Sequence, residues 1–257
     1  MPAFPRCVAC ASVAWLLVAG SVRAVAAPVV IDDFATGRGH FNSPIDAGDH
    51  TTGFFVPTSS VTHDPSVGHN APGSLKLVID DDPAVNFRID DPWRLQLLSG
   101  AGIPADNLSL ASTGYIGYWL KTTAGDVNAS IIVNDGAGME QGHSRPVTPD
   151  GQWHLYEWNL ESRQVSEAWN NYSGGNGVID SPTVTINALQ LWTAAVPREV
   201  DGTFWIDDVS HNPSGSLVPE PASLFVMALM GLLMARRRPG YASRQQRNRQ
   251  RGGERQR

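Results

Sequence analysis

Residues 73–79 read Gly73-Ser74-Leu75-Lys76-Leu77-Val78-Ile79. Successive side chains of a strand point to opposite faces, so Leu75, Leu77 and Ile79 share one face while Lys76 and Val78 take the other. This alternation is the pattern of a half-buried strand, not of a helix. It recurs outward along the chain. Val85, Phe87 and Ile89 alternate with Asn86 and Arg88, and Ile116, Tyr118 and Leu120 alternate with Trp119 and Lys121. Tyr156, Trp158 and Leu160 alternate with Glu157 and Asn159, and Leu189 and Leu191 with Gln190 and Trp192. Strands are predicted at 29–34, 53–57, 74–79, 84–89, 115–121, 128–134, 153–160, 183–193 and 203–210, broken by Gly, Pro, Asn and Asp. Helical turns are expected only around 92–98 and 162–170. Many short strands with no βαβ rhythm and no internal repeat imply an all-β, two-sheet antiparallel sandwich, best matched by a jelly roll.

Residues 27–213 carry all of these strands and are long enough to bury a sizeable core in one domain. Before them, Arg6 precedes an apolar stretch at 8–20, and Ala24-Val25-Ala26 offers a small-residue cleavage site. Residues 1–26 therefore read as a signal peptide cut after Ala26, because a cut after Ala27 would leave Pro28 first. Cys7 and Cys10, the chain's two cysteines, leave with it. The mature domain has no disulfide although its destination is oxidising, so its core must stabilise it, with a metal as the other available staple.

Beyond the domain, residues 214–238 contain Pro219-Glu220-Pro221, an apolar run at 222–235 and then Arg236-Arg237-Arg238. Twelve helical residues, 224–235, would cover only ~18 Å of a hydrocarbon core of about 30 Å. The arginines would stay cytoplasmic and leave the domain outside. This layout resembles the PEP-CTERM sorting signal of exopolysaccharide-producing Gram-negative bacteria. The resemblance implies a transient inner-membrane anchor and an exosortase-type membrane peptidase as partner, with delivery to the cell envelope, surface or extracellular matrix. Residues 239–257 are Arg-rich, almost without apolar side chains, and read as a disordered tail.

Charge is divided by region. Residues 28–218 hold eight Lys/Arg against 23 Asp/Glu, a net near −15, whereas the segment from Arg236 onward holds nine Arg and one acid, Glu254. So acidic a domain argues against nucleic acid or an anionic membrane as its partner.

Four short stretches come in order: Ile31-Asp32-Asp33-Phe34, Gly73-Ser74-Leu75-Lys76-Leu77, Trp153-His154-Leu155-Tyr156-Glu157-Trp158-Asn159-Leu160, and Phe204-Trp205-Ile206-Asp207-Asp208-Val209. Together they resemble the galactose-binding-like jelly roll of many carbohydrate-binding modules. The resemblance implies that the first and last strands pair and share a structural Ca²⁺, with Asp32, Asp33, Asp207 and Asp208 as its carboxylates. The chemistry is consistent, since Ca²⁺ takes six to eight oxygen ligands. The alternative is that one Asp of each pair faces solvent and the other caps a strand end. Asp80-Asp81-Asp82 and Asp90-Asp91 read as turns beside Pro83 and Pro92.

Polysaccharide recognition needs an aromatic face for the C–H side of a sugar and polar groups for its hydroxyls. Of eight tryptophans, Trp15 lies in the leader. If the strands at 115–121, 153–160 and 183–193 share a sheet, Trp119, Glu157, Asn159, Gln190 and Trp192 line one groove, with Asn134 or Arg88 at its edge. A second arrangement puts Trp93, Trp169 and Tyr172 at the loop end of the sandwich.

Catalytic patterns are absent from the sequence. The seven histidines show no H-E-x-x-H spacing, no G-x-S-x-G elbow occurs, and no cysteine remains after the leader. Glu157 and Glu161 are the nearest approach to a hydrolase pair, but four residues apart on a strand and its turn they are ill placed to flank a glycosidic bond. A non-catalytic, polysaccharide-binding surface or matrix protein is expected. A structural or adhesive protein without sugar affinity and a secreted glycan-degrading enzyme are the alternatives.

Overall fold

The computed structural model describes residues 27–81, 92–162, 167–194 and 199–218. Its strands are β1 (Val29–Asp32), β2 (Ser60–Asp64), β3 (Ser74–Ile79), β4 (Arg94–Leu98), β5 (Ser109–Ala111), β6 (Tyr115–Thr122) and β7 (Val127–Asn134). There follow β8 (Met139–Gln141), β9 (Arg145–Pro146), β10 (Trp153–Asn159), β11 (Asn170–Ser173), β12 (Thr183–Thr193) and β13 (Gly202–Asn212). One sheet has the order β10-β6-β13-β3-β2, with β1 on β13; the other has the order β11-β8-β7-β12-β4, with β5 on β12 and β9 on β7. All named pairings are antiparallel, and the chain passes repeatedly between the sheets, giving the expected jelly-roll sandwich.

The core lies where period two places it. Leu75, Leu77, Ile79, Ile116, Tyr118, Leu120, Tyr156, Trp158, Leu189, Leu191, Phe204 and Ile206 are buried between the sheets. Buried Tyr and Trp need partners for their polar tips. The Tyr118 hydroxyl donates to the Ser130 carbonyl (3.0 Å), and the Trp158 indole N–H to that of His143 (2.6 Å).

Two elements and two tryptophans depart from expectation. Residues 92–98, expected as a helical turn, form strand β4, because Leu95 and Leu97 are pulled into the core on either side of Gln96. Residues 53–57, expected as a strand, form no strand. Gly53 takes a left-handed φ of 90° and sits against the Trp93 backbone, where any side chain would collide. Trp93 and Trp169 are buried core, not loop-end ligands: their indole N–H groups donate to the carbonyls of Val200 and Asn159, both at 3.0 Å. The strand predicted at 84–89 lies outside the described residues, as do Arg88, residues 163–166 of the turn at 162–170, residues 1–26 with Ala24 and Ala26, and everything from Pro219 onward. Among the described residues no helix is long and apolar enough to cross a membrane.

Candidate carbohydrate-binding groove

The five residues expected to share one groove do not meet. Trp119 (β6) and Glu157 and Asn159 (β10) lie on the outer face of one sheet, and Gln190 and Trp192 (β12) on the outer face of the other. Alternation assigned each side chain its face correctly, but the faces point away from each other. On the first sheet the three residues are already occupied. His69 stacks on the Trp119 ring at a centroid distance of 3.7 Å. The Glu157 carboxylate accepts from the Ser216 hydroxyl (2.9 and 3.1 Å) and the Leu217 N–H (2.8 Å), fastening the chain that follows β13. The Asn159 side-chain oxygen accepts from the Glu161 N–H at 2.8 Å. Glu161 in turn accepts from the Gly114 N–H at 3.1 Å.

The second sheet presents a groove. On its outer face β4, β12 and β7 align Gln96 with Gln190 and Ser130, and Arg94 with Trp192 and Asn128. Gln96 and Gln190 are 3 % and 0 % exposed although they face away from the core, because β11 and the 48–52 loop wall the sheet. Their amides converge on one phenol. Gln96 Nε2 donates to the Tyr172 hydroxyl at 2.8 Å, and Gln190 Nε2 reaches it at 3.5 Å. Gln96 Oε1 accepts from the His50 N–H (3.3 Å), Gln190 Oε1 from Gln141 Nε2 (2.7 Å), and the His50 ring leans on Tyr172 at 4.8 Å. Burial raises the Tyr172 pKa, opposed by the nearby Arg94. The phenol therefore keeps its proton, and as an acceptor from both glutamines it retains that proton to donate.

Three clefts follow one another along β12. One of about 280 Å³ is lined by Asp49, His50, Arg94 and Trp192. A second of about 180 Å³ shares Asp49 and His50 and adds Gln96, Tyr172, Met139 and Asn187. A third of about 410 Å³ shares Met139 and Asn187 and extends to Asn107, Asn134, Asp135 and Thr183. From Trp192 to Thr183 the strand covers roughly 30 Å at about 3.3 Å per residue, enough for several sugar rings in line. Of the residues the sequence suggests, Trp192 and Asn134 line these clefts and Gln190 lies beneath them; Arg94, Gln96 and Tyr172 join them because 94–98 is a strand, signalled by the Arg-Leu-Gln-Leu alternation at 94–97.

The carboxylates of the acidic pairs meet protein donors. β1 and β13 do pair, with Asp32 opposite Val209. Yet Asp32 is taken up by the backbone N–H groups of Phe34 and His40, and Asp33 by that of Ala35 (3.0 Å). Asp207 accepts from the N–H groups of His69 and Asp208, both at 2.7 Å, and Asp208 from the Asn70 amide at 2.6 Å, with His69 Nδ1 at 2.8 Å. Among the described residues no group of three or more His, Cys, Asp or Glu is placed to hold a metal ion.

No family model matches the chain, and no curated protein matches it. Among solved structures it is similar to the family 11 carbohydrate-binding module of a cellulosomal cellulase of Clostridium thermocellum (16 % identity over 75 % of this chain and 98 % of that one, TM-score 0.38). It is also similar to a Caldicellulosiruptor saccharolyticus carbohydrate-binding module solved with mannohexaose (12 %, 74 % and 100 %, TM-score 0.41). A third likeness is to a β-1,2-glucanase of Parabacteroides distasonis (14 %, 71 % of this chain and 24 % of that one, TM-score 0.39). The reading of the groove rests on its own residues.

Proposed function

We propose that this protein is exported by its leader and held briefly in the inner membrane through residues 222–235. An exosortase-type peptidase then reads Pro219-Glu220-Pro221 with Arg236, Arg237 and Arg238 and releases it to the surface or extracellular matrix of a Gram-negative bacterium. There its sandwich binds polysaccharide without catalysis. The observation that carries the binding reading is the Gln96–Tyr172–Gln190 cluster at the floor of an open groove with Trp192 beside it. The Tyr172 hydroxyl, held in place by the buried Gln96 and Gln190 amides, supplies a polar group for sugar hydroxyls, and an indole supplies the apolar face. An open groove, not a closed pocket, suits the interior of a chain over its end.

The test is binding of the full-length chain to a panel of neutral polysaccharides by affinity electrophoresis. The proposal expects retardation by at least one of them, weakened roughly tenfold by Trp192→Ala, about 1.4 kcal/mol for the loss of an aromatic contact residue. Retardation by none would favour the structural or adhesive alternative. The sorting half is tested separately, by replacing Pro219, Glu220 and Pro221 with alanine and following the mature mass in cells. An unchanged mass would refute it.

A further inference from the structure

The outer face of the first sheet carries an array that the groove does not use. Across β10, β6, β13 and β3, residues paired strand to strand read Trp153, Lys121, Trp205 and Lys76. All four are half-buried. The whole chain has only two lysines, and they are these two. Both ammonium groups lie over the Trp205 ring, Lys76 Nζ at 5.8 Å and Lys121 Nζ at 5.7 Å from its centroid. In so acidic a domain carboxylates are plentiful, yet among the described residues neither lysine enters an ion pair; the three pairs there involve His69, Arg145 and His154. Asp64 binds the Trp205 indole N–H (3.1 Å) and the Ser66 hydroxyl (2.7 Å), which holds the ring edge in place.

We propose that this row is a second binding site, for a linear polysaccharide bearing carboxylates, laid across the strands. Neighbouring strands lie about 4.8 Å apart, close to the length of one sugar ring, so each step along the row meets one ring. Trp153 stacks on one ring, while Lys121 and Lys76, which cap the Trp205 ring, meet the carboxylates of the rings that follow. The indole under the ammonium groups keeps them on the sheet face, where partly desolvated charges bind an anion more strongly than free surface lysines do. Asp64, which acts on Lys76 through space, and the net negative charge of the domain oppose an anionic polymer, so its binding depends on these two cations. The site lies on the sheet opposite the groove and does not depend on it.

The test uses the full-length chain with polygalacturonate and with the same polymer after its carboxyl groups are reduced to alcohols. The proposal expects saturable binding of polygalacturonate that weakens as salt rises, at least tenfold weaker binding of the reduced polymer, and the same loss on Lys76→Gln/Lys121→Gln. Lys76→Arg/Lys121→Arg retains binding. The reduced polymer probes the charge pairing on unaltered protein, so a misfolded variant leaves the test intact. No binding of polygalacturonate, or binding of it that neither salt nor Lys76→Gln/Lys121→Gln weakens, would overturn it.

Discussion

His69 lies almost flat on Trp119, with ring centroids 3.7 Å apart and planes 18° from parallel, while its Nδ1 meets the Asp208 carboxylate at 2.8 Å. The contact clips the loop that leads into β3 onto the face of β6. It converts an indole that alternation places outward, as if for a ligand, into part of the packing. Trp119→Ala should therefore lower stability, by about 1–2 kcal/mol, and leave binding of neutral polysaccharide unchanged. Thermal melts and affinity electrophoresis on one preparation check both halves.

Tyr172 gives the opposite expectation. Tyr172→Phe removes the acceptor of two buried amides, costing about 1–3 kcal/mol, and also the hydroxyl proton offered to the groove. Both melting temperature and affinity for neutral polysaccharide should fall, with the ring of His50 still seated on the phenyl. Isothermal titration of the variant against the best ligand measures the second effect.

Chelation should do little. The carboxylates of Asp32, Asp33, Asp207 and Asp208 are satisfied by protein donors. Melting curves with excess EDTA and with added calcium should therefore superimpose. A large upward shift with calcium would show that these loops rearrange to form a cage.

Asp64 offers a pH test of the Trp205 clasp. Hydrogen bonds from the Ser66 hydroxyl and the Trp205 indole hold its pKa down, to about 2. A depressed folded pKa means that the interaction is present above the unfolded value near 3.9 and is lost only as pH falls toward 2. The Trp205 indole N–H resonance should stay fixed from pH 7 to about 3.5, where an ordinary aspartate would already be more than half protonated. A titration centred near 4 would show that the clasp is not formed.

Glu157 ties the end of the domain down. Glu157→Ala should free Ser216 and the buried Leu217 and speed proteolytic cleavage around 214–218, with glycan binding intact. Limited proteolysis followed by mass spectrometry reads the site of cleavage.

Much of this architecture was legible in the sequence because strand alternation is local. Leu75, Leu77, Tyr118, Trp158 and Leu191 were assigned inward from neighbours two residues away, and each is buried. Sheet membership is not local. Nothing near Trp119 or Trp192 says that β6 pairs with β10 and β13 whereas β12 pairs with β7 and β4, so the groove was drawn across two faces that never meet. Short or polar strands were also hidden. In Ser60–Asp64 only Val61 is buried, and Arg94–Leu98 is rich in leucine, whose helical preference tertiary packing overrides. The aromatic–lysine row has the same origin as the missed groove, since its four members come from four separate segments joined only by register.

The most direct test of the groove is a comparison of three full-length proteins, wild type, Trp192→Ala and Trp119→Ala, titrated with one neutral polysaccharide that retards the wild type. The structure predicts roughly tenfold weaker binding for Trp192→Ala and unchanged affinity for Trp119→Ala. Loss of binding in Trp119→Ala with Trp192→Ala unaffected would put the ligand on the other sheet and contradict the account.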